Sequence, residues 1–253
     1  MKARALLYLD TTVLLDYVER ERGNANSIHL LDGVKQEDYL RGAISTFSVL
    51  EAVDKKQEFT HLRGLVQRGH TLHELRGEMG KTRDLTRAEC KRCYRDVYQT
   101  LASFGDKLTI LTPTSERVWV AASWICENTA ISAPDALHVA VAQSSDCDGF
   151  VTGDRFLHAQ VTSVRRLSNS MVPLLCQKNI GRRTFDESFD RMLVTVRARR
   201  EKRGGPPHGL DVSPAREFLD LMSGLVGGKK NAAQTVKAYE AFLKRSAKGP
   251  RKA

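Results

Sequence analysis

Four acidic residues, each beside a segment boundary, carry the chemistry this chain could do. Asp10 follows the short apolar run at residues 6–9 and precedes Thr11 and Thr12. Glu51 comes after Ser45-Thr46-Phe47-Ser48-Val49-Leu50, and Asp135 opens the nearly all-apolar stretch SAPDALHVAVAQSS. Asp154 closes Phe150-Val151-Thr152-Gly153-Asp154. Each has a simple alternative role as a helix cap: Asp10 or Thr11 before the first helix, Ser48 with Glu51, Ser132 with Asp135, and Asp154 before the brief helix after it. Helical spacing weakens that alternative for two of them. Asp135 shares a face with His138, Val139 and Ala142, and Glu51 shares one with Phe47, so both carboxylates head core-facing stripes. A charge so placed is costly unless a cation meets it. No Lys or Arg recurs beside all four acids, which makes a bound divalent metal the economical counter-charge. An oxygen-only set favours Mg²⁺ or Mn²⁺ over zinc. Such an ion acidifies water and stabilises in-line displacement at phosphorus, so the reaction class is phosphodiester hydrolysis. The chain has no Gly-rich phosphate loop with its Lys, no GxGxxG, no GxSxG and no HExxH.

The elements that must position these acids read as alternating strands and helices. Residues 6–9, 43–45, 108–111 and 149–152 are short apolar runs bounded by turn chemistry, as buried strands are. Residues 161–166 and 171–175 read as further extended segments. Helical patterns follow residue 10, begin at Ser27, run on from Phe47, and cover residues 86–104, 115–127 and 132–145. In residues 115–127 the spacing turns Val118, Trp119, Ala122 and Ile125 to the core. Residues 70–83 are polar and Gly-containing and give little signal. Alternation of this kind predicts an α/β fold, with a parallel sheet covered on both faces. An acid at the carboxyl end of a central strand sits where such sheets bind their ligands.

The composition changes near Gln177. Residues 1–176 hold 22 Lys and Arg and 22 Asp and Glu, whereas residues 177–253 hold 18 and 8, so the net charge of +10 belongs to the C-terminal third. Residues 177–203 read as a basic amphipathic helix ending in a run that includes Arg197, Arg199, Arg200, Lys202 and Arg203. Residues 204–212 are a Gly/Pro linker, and residues 213–253 a basic helical extension with the apolar stripe Phe218, Leu221, Met222 and Leu225. The basic run is either a solvated tail or a polyanion-binding arm. Five cysteines without framework spacing suit a reducing, cytoplasmic setting. Cys90-x-x-Cys93 lacks the second pair that a zinc site needs. No apolar run reaches membrane-span length and the start lacks signal-peptide features, so no membrane association is expected.

At the four acids the sequence resembles the PIN-domain nucleases, and among them the VapC-type toxins of bacterial toxin–antitoxin pairs. The likeness is carried by Leu9-Asp10-Thr11-Thr12-Val13-Leu14-Leu15 and by Ile44-Ser45-Thr46-Phe47-Ser48-Val49-Leu50-Glu51. Pro134-Asp135-Ala136-Leu137-His138-Val139-Ala140 and Val151-Thr152-Gly153-Asp154 complete it. It spans roughly residues 4–176, and residues 177–253 lie beyond it. The resemblance implies a three-layer α/β/α fold around a parallel sheet. It further implies that Asp10, Glu51, Asp135 and Asp154 are catalytic, metal-binding acids, with Thr11 or Thr12 and Thr152 as neighbouring hydroxyls. An RNA substrate, an antitoxin partner and a homodimer are implied in the same way. His138 reads as a packed or hydrogen-bonded helix residue. Two other classes stay open from the residues: an interaction module acting through the C-terminal helices, and a DNA nuclease with the same metal chemistry.

Overall fold

The computed structural model describes residues 5–20, 23–79, 83–113 and 115–203. The linker expected at 204–212 and the helical extension at 213–253 lie outside the described residues. The chain runs β1 (Ala5–Leu9), α1 (Thr11–Val18), α2 (Ala25–Gln36), β2 (Leu40–Ser45), α3 (Thr46–Gln67), α4 (Leu72–Glu78), α5 (Arg87–Ala102), β3 (Leu108–Leu111). It continues through α6 (Glu116–Asn128), α7 (Ala133–Ser144), β4 (Gly149–Thr152), α8 (Arg155–Ser163), α9 (Arg165–Ser170), β5 (Val172–Leu175) and α10 (Arg182–Arg203). The five strands form one sheet in the order β3-β2-β1-β4-β5, and every pairing is parallel.

Strand β1 is central and buried along its whole length, and its side chains divide the core in two. Ala5, Leu7 and Leu9 join the cluster containing α1, α2, α3, α5 and α10, while Leu6 and Tyr8 join the one containing α6, α7 and α8. The alternation follows from the two-residue period of a strand. Helices therefore cover both faces, which is the three-layer α/β/α architecture expected from the sequence. Gly42 suits this packing, since a Cβ there would stand 2.9 Å from Leu108 Cδ1 and 3.0 Å from Leu9 Cδ1 and both leucine side chains would have to shift. Among the described residues no helix is long and apolar enough to cross a membrane.

The basic helix α10 packs into the sheet's core. Phe185, Met192 and Val196 lie at helical spacing and are buried in the same cluster as β1. Burying side chains of this size stabilises by about 1.5–3 kcal/mol each. At its far end Arg200 Nε donates to Asp148 Oδ1 at 2.8 Å, and Asp148 Oδ2 accepts the backbone N–H of Leu6 at 2.7 Å. Arg199 Nη2 donates to the Ser168 carbonyl at 2.8 Å. These contacts place the C-terminal end of α10 at the amino edge of the sheet.

Several elements differ from the sequence reading, each for a local reason. Helix α2 starts earlier than Ser27, because Asn24 is its cap and accepts from Asn26 N. Strand β2 begins at Leu40 rather than Ala43. The weak stretch around residues 70–83 contains α4, capped by a reciprocal Thr71–Glu74 box. Residues 161–166 are not extended but complete α8 and open α9. Trp119 is 55% exposed rather than core-facing, since Val118, Ala122 and Ile125 already fill the buried side of α6. Trp124 is partly buried and carries the Arg166 guanidinium 4.2 Å above its ring.

Candidate metal centre

The carboxyl edges of β1 and β4 meet at the sheet's switch point. From β1 the chain proceeds to β2 on one side, while β4 and β5 occupy the other, and crevices in open α/β sheets form there. Asp10 is fixed in this crevice and only 4% exposed. Its backbone N–H donates to Val151 O at 2.9 Å. Its Oδ1 accepts Thr11 N at 2.8 Å, and its Oδ2 accepts the hydroxyls of Thr12 at 2.7 Å and Thr152 at 2.8 Å. An ordinary cap accepts from the second or third helical N–H. Asp10 instead reaches its immediate neighbour and the next strand, so capping alone does not explain it. Gly153 lets the strand-end loop approach: its N–H donates to Thr12 Oγ1 at 2.9 Å, and a Cβ would lie 3.1 Å from that same oxygen.

Glu51 enters from the second turn of α3. It takes no part in capping, because Ser45 and Ser48 form the box that closes this helix start. Its Oε2 accepts Thr11 Oγ1 at 2.5 Å and lies 3.0 Å from His138 Nε2. Burial pushes the Glu51 carboxyl up, but the hydrogen bonds from His138 and Thr11 outweigh it and leave it below the usual range.

Asp135 and Asp154 are closer to the capping reading. Asp135 Oδ2 accepts Ser132 Oγ at 2.6 Å. Asp154 is exposed, and its Oδ1 accepts the N–H groups of Phe156 at 2.7 Å and Leu157 at 2.9 Å, capping α8. Yet Asp135 lies within electrostatic reach of both Asp10 and Asp154. Burial first, then the charges of Asp10 and Asp154, hold the Asp135 carboxyl above its ordinary range against the Ser132 hydrogen bond. Among the described residues no Lys or Arg is hydrogen-bonded to that carboxylate.

The donor set fits a partly hydrated ion better than a closed cage. Among the described residues no group of three or more His, Cys, Asp or Glu is drawn together tightly enough to hold a metal. Mg²⁺ needs only one or two carboxylates, with water and substrate phosphate completing its shell. Glu51 Oε1, Asp135 Oδ1 and Asp154 Oδ2 accept no hydrogen bond from the described residues, and all are oxygens. The raised Asp135 carboxyl makes a stability prediction. Its ionised form is disfavoured in the fold, so the cost is present at neutral pH and vanishes below about pH 4, where folded and unfolded chains are both protonated. Asp135→Asn will raise the metal-free Tm at pH 7 by roughly 2 °C, for a gain under ~1 kcal/mol at this partly screened position. A lower Tm in that variant would show that the carboxylate stabilises the fold instead.

The basic residues at the end of α10 do not join this crevice. Arg199 and Arg200 are turned into the fold by Ser168 and Asp148 at the opposite edge of the sheet. Arg197 and Lys202 are exposed, and the side chain of Arg203 lies outside the described residues. Sequence reasoning missed Tyr8, Ser45 and Ser48 as partners behind the acids. Only the Ser45–Ser48 spacing of three could have signalled them.

Fold and site together define a three-layer parallel α/β protein with an acidic, oxygen-rich crevice at the switch point of its sheet. No family model matches the chain, and no curated protein matches it. Among solved structures it is similar to a chain in the crystal structure of VapBC2 from Rickettsia felis bound to a DNA fragment from their promoter. That match has 11% identity and a TM-score of 0.39, and it covers 66% of this chain and 96% of that one.

Proposed function

We propose that this protein is a Mg²⁺- or Mn²⁺-dependent endoribonuclease of the PIN-domain type, and the toxin of a toxin–antitoxin pair. One observation carries the hydrolytic reading. Asp10 is gripped by three donors at the β1/β4 switch point, Asp135 is in electrostatic reach of both Asp10 and Asp154, Glu51 is tied in through Thr11, and no Lys or Arg among the described residues is hydrogen-bonded to any of the four. RNA as substrate, an antitoxin as partner and a homodimer rest on the resemblance of the sequence motifs.

The ion, when bound, supplies the positive charge that acidifies water and offsets charge growing on the phosphate. The chain's own residues supply placement. Thr12 and Thr152 keep the Asp10 carboxylate in one orientation, and Thr11 ties Asp10 to Glu51 across the β1–α1 junction. Arg155 is exposed and follows Asp154 in the chain, and in this reading it would meet a backbone phosphate.

The deciding experiment incubates the full chain with RNA and single-stranded DNA panels in Mg²⁺, Mn²⁺ or EDTA. Cutting of RNA that requires the metal supports the reading. A folded protein that cuts nothing rejects it and favours the interaction module, and cutting of DNA alone moves the assignment to a DNA nuclease.

Residues 204–253 hold nine Lys and Arg against four Asp and Glu, and they follow α10, whose own basic end is built into the fold. Deleting 204–253 is therefore the clean test of a polyanion-binding arm. The expected outcome is about a tenfold loss of RNA affinity at low salt, a shallower salt dependence, and unchanged cleavage at saturating RNA. Unchanged affinity at low salt would assign those residues another role.

A further inference from the structure

Behind Glu51 stands a buried polar chain that the four-acid reading does not use. His138 is 1% exposed, on a helix whose neighbouring buried positions are Ala136, Val139 and Ala140. Its Nε2 lies 3.0 Å from Glu51 Oε2, and its Nδ1 lies 2.9 Å from the Tyr8 hydroxyl and 3.3 Å from Ser48 Oγ. The ring is packed among aromatic side chains. Phe47 packs against it at 5.2 Å between centroids, and Tyr8 is stacked on Phe150 at 5.6 Å in the middle of β1 and β4. With the Tyr8 hydroxyl donating to Nδ1, the ring N–H is on Nε2 and donates to Glu51.

Resting on the nuclease reading, we propose that His138 is a positioning residue. It fixes Oε2 of Glu51 and leaves Oε1 as the single oxygen which that residue offers a divalent cation. Oε2 already accepts from both Thr11 and His138, whereas Oε1 accepts from none of the described residues. A purely structural role accounts less well for the geometry. An apolar residue would fill this helix position at no polar desolvation cost. The histidine instead aims its one outward nitrogen at a carboxylate that is partly exposed on the crevice side. Groups that orient a metal ligand in this way typically change metal affinity by about 10–100-fold when removed.

The test uses the full chain and two readouts: Mn²⁺ binding by titration calorimetry, and RNA cleavage resolved into kcat and KM. His138→Leu should weaken Mn²⁺ binding about 10–100-fold and lower kcat, with KM for RNA within about twofold. His138→Gln, whose longer amide can still donate toward Glu51, should recover most of the affinity, and His138→Asn, which falls short, should not. A folded His138→Leu with the wild-type Kd for Mn²⁺ overturns the proposal. If that variant does not fold, equal Kd values for the Gln and Asn variants overturn it just as well. Wild-type protein that binds Mn²⁺ without cutting RNA removes the nuclease reading alone, because the binding series still decides the role of His138. Wild-type protein that binds no Mn²⁺ overturns both.

Discussion

Asp10→Asn will abolish metal-dependent RNA cleavage, lowering kcat by roughly a thousandfold or more while the protein stays folded. A cation at a phosphoryl centre contributes several kcal/mol of transition-state stabilisation, and each 1.36 kcal/mol is a factor of ten in rate. The substitution keeps the side chain's shape and removes its charge. The fold tolerates it because the backbone N–H of Asp10 still reaches Val151 O, and the hydroxyls of Thr12 and Thr152 can rotate to accept from the new amide. Cleavage assays beside a circular-dichroism melt separate the two effects. Activity within tenfold of wild type in a folded variant would remove Asp10 from the chemistry, and with it the centre around which the other acids are arranged.

The largest stability effect is expected far from the acids. Asp148 and Arg200 have side-chain exposures of 9% and 10%, and the carboxylate also accepts the N–H of Leu6. Asp148→Ala leaves the guanidinium buried without its partner and the start of β1 without its acceptor. Breaking a buried pair of this kind costs about 3–5 kcal/mol, a large share of the roughly 5–15 kcal/mol that holds a domain together. Urea unfolding should show a midpoint lower by roughly 1–2 M. Replacing both partners, as Asp148→Leu with Arg200→Met, should restore part of the loss, because no uncompensated charge remains. A single variant with an unchanged midpoint would mean that α10 is held by its apolar stripe alone.

Strands β1, β3 and β4 were legible because each is a short apolar run ended by turn chemistry, and parallel strands buried on both faces have that signature. The start of β2 was not legible. Tyr39 and Leu40 continue the apolar spacing of α2, and the close packing at Gly42 comes from Leu9 and Leu108 on neighbouring strands. The four acids could be picked out one by one, because strand ends and first helical turns are local features. Their differing environments could not. Asp154 works as a cap for α8, Glu51 is tied to His138 from a helix 87 residues later, and Asp10 is held by Thr152 from 142 residues away. The burial of Arg200 within the basic run was not legible for the same reason. Arg200 sits in a charged stretch that reads as solvated until Asp148, 52 residues earlier, is seen beside it.

The central position of β1 has a consequence for how the chain reaches its native state. Strand β1 is made before either of its two neighbours, and the second of them, β4, arrives 142 residues later, as the pairing of Leu7 with Gly149 shows. Until then β1 can pair only with β2, and its other edge offers unpaired N–H and C=O groups to any strand nearby. Such non-local pairing is slow to form, and it leaves a template for aggregation during synthesis. The acidic crevice lies along that late-closing seam, so a nascent chain that has not reached β4 has no site. Refolding from urea should accordingly be slow and sensitive to protein concentration, and the crevice should be among the last features to appear.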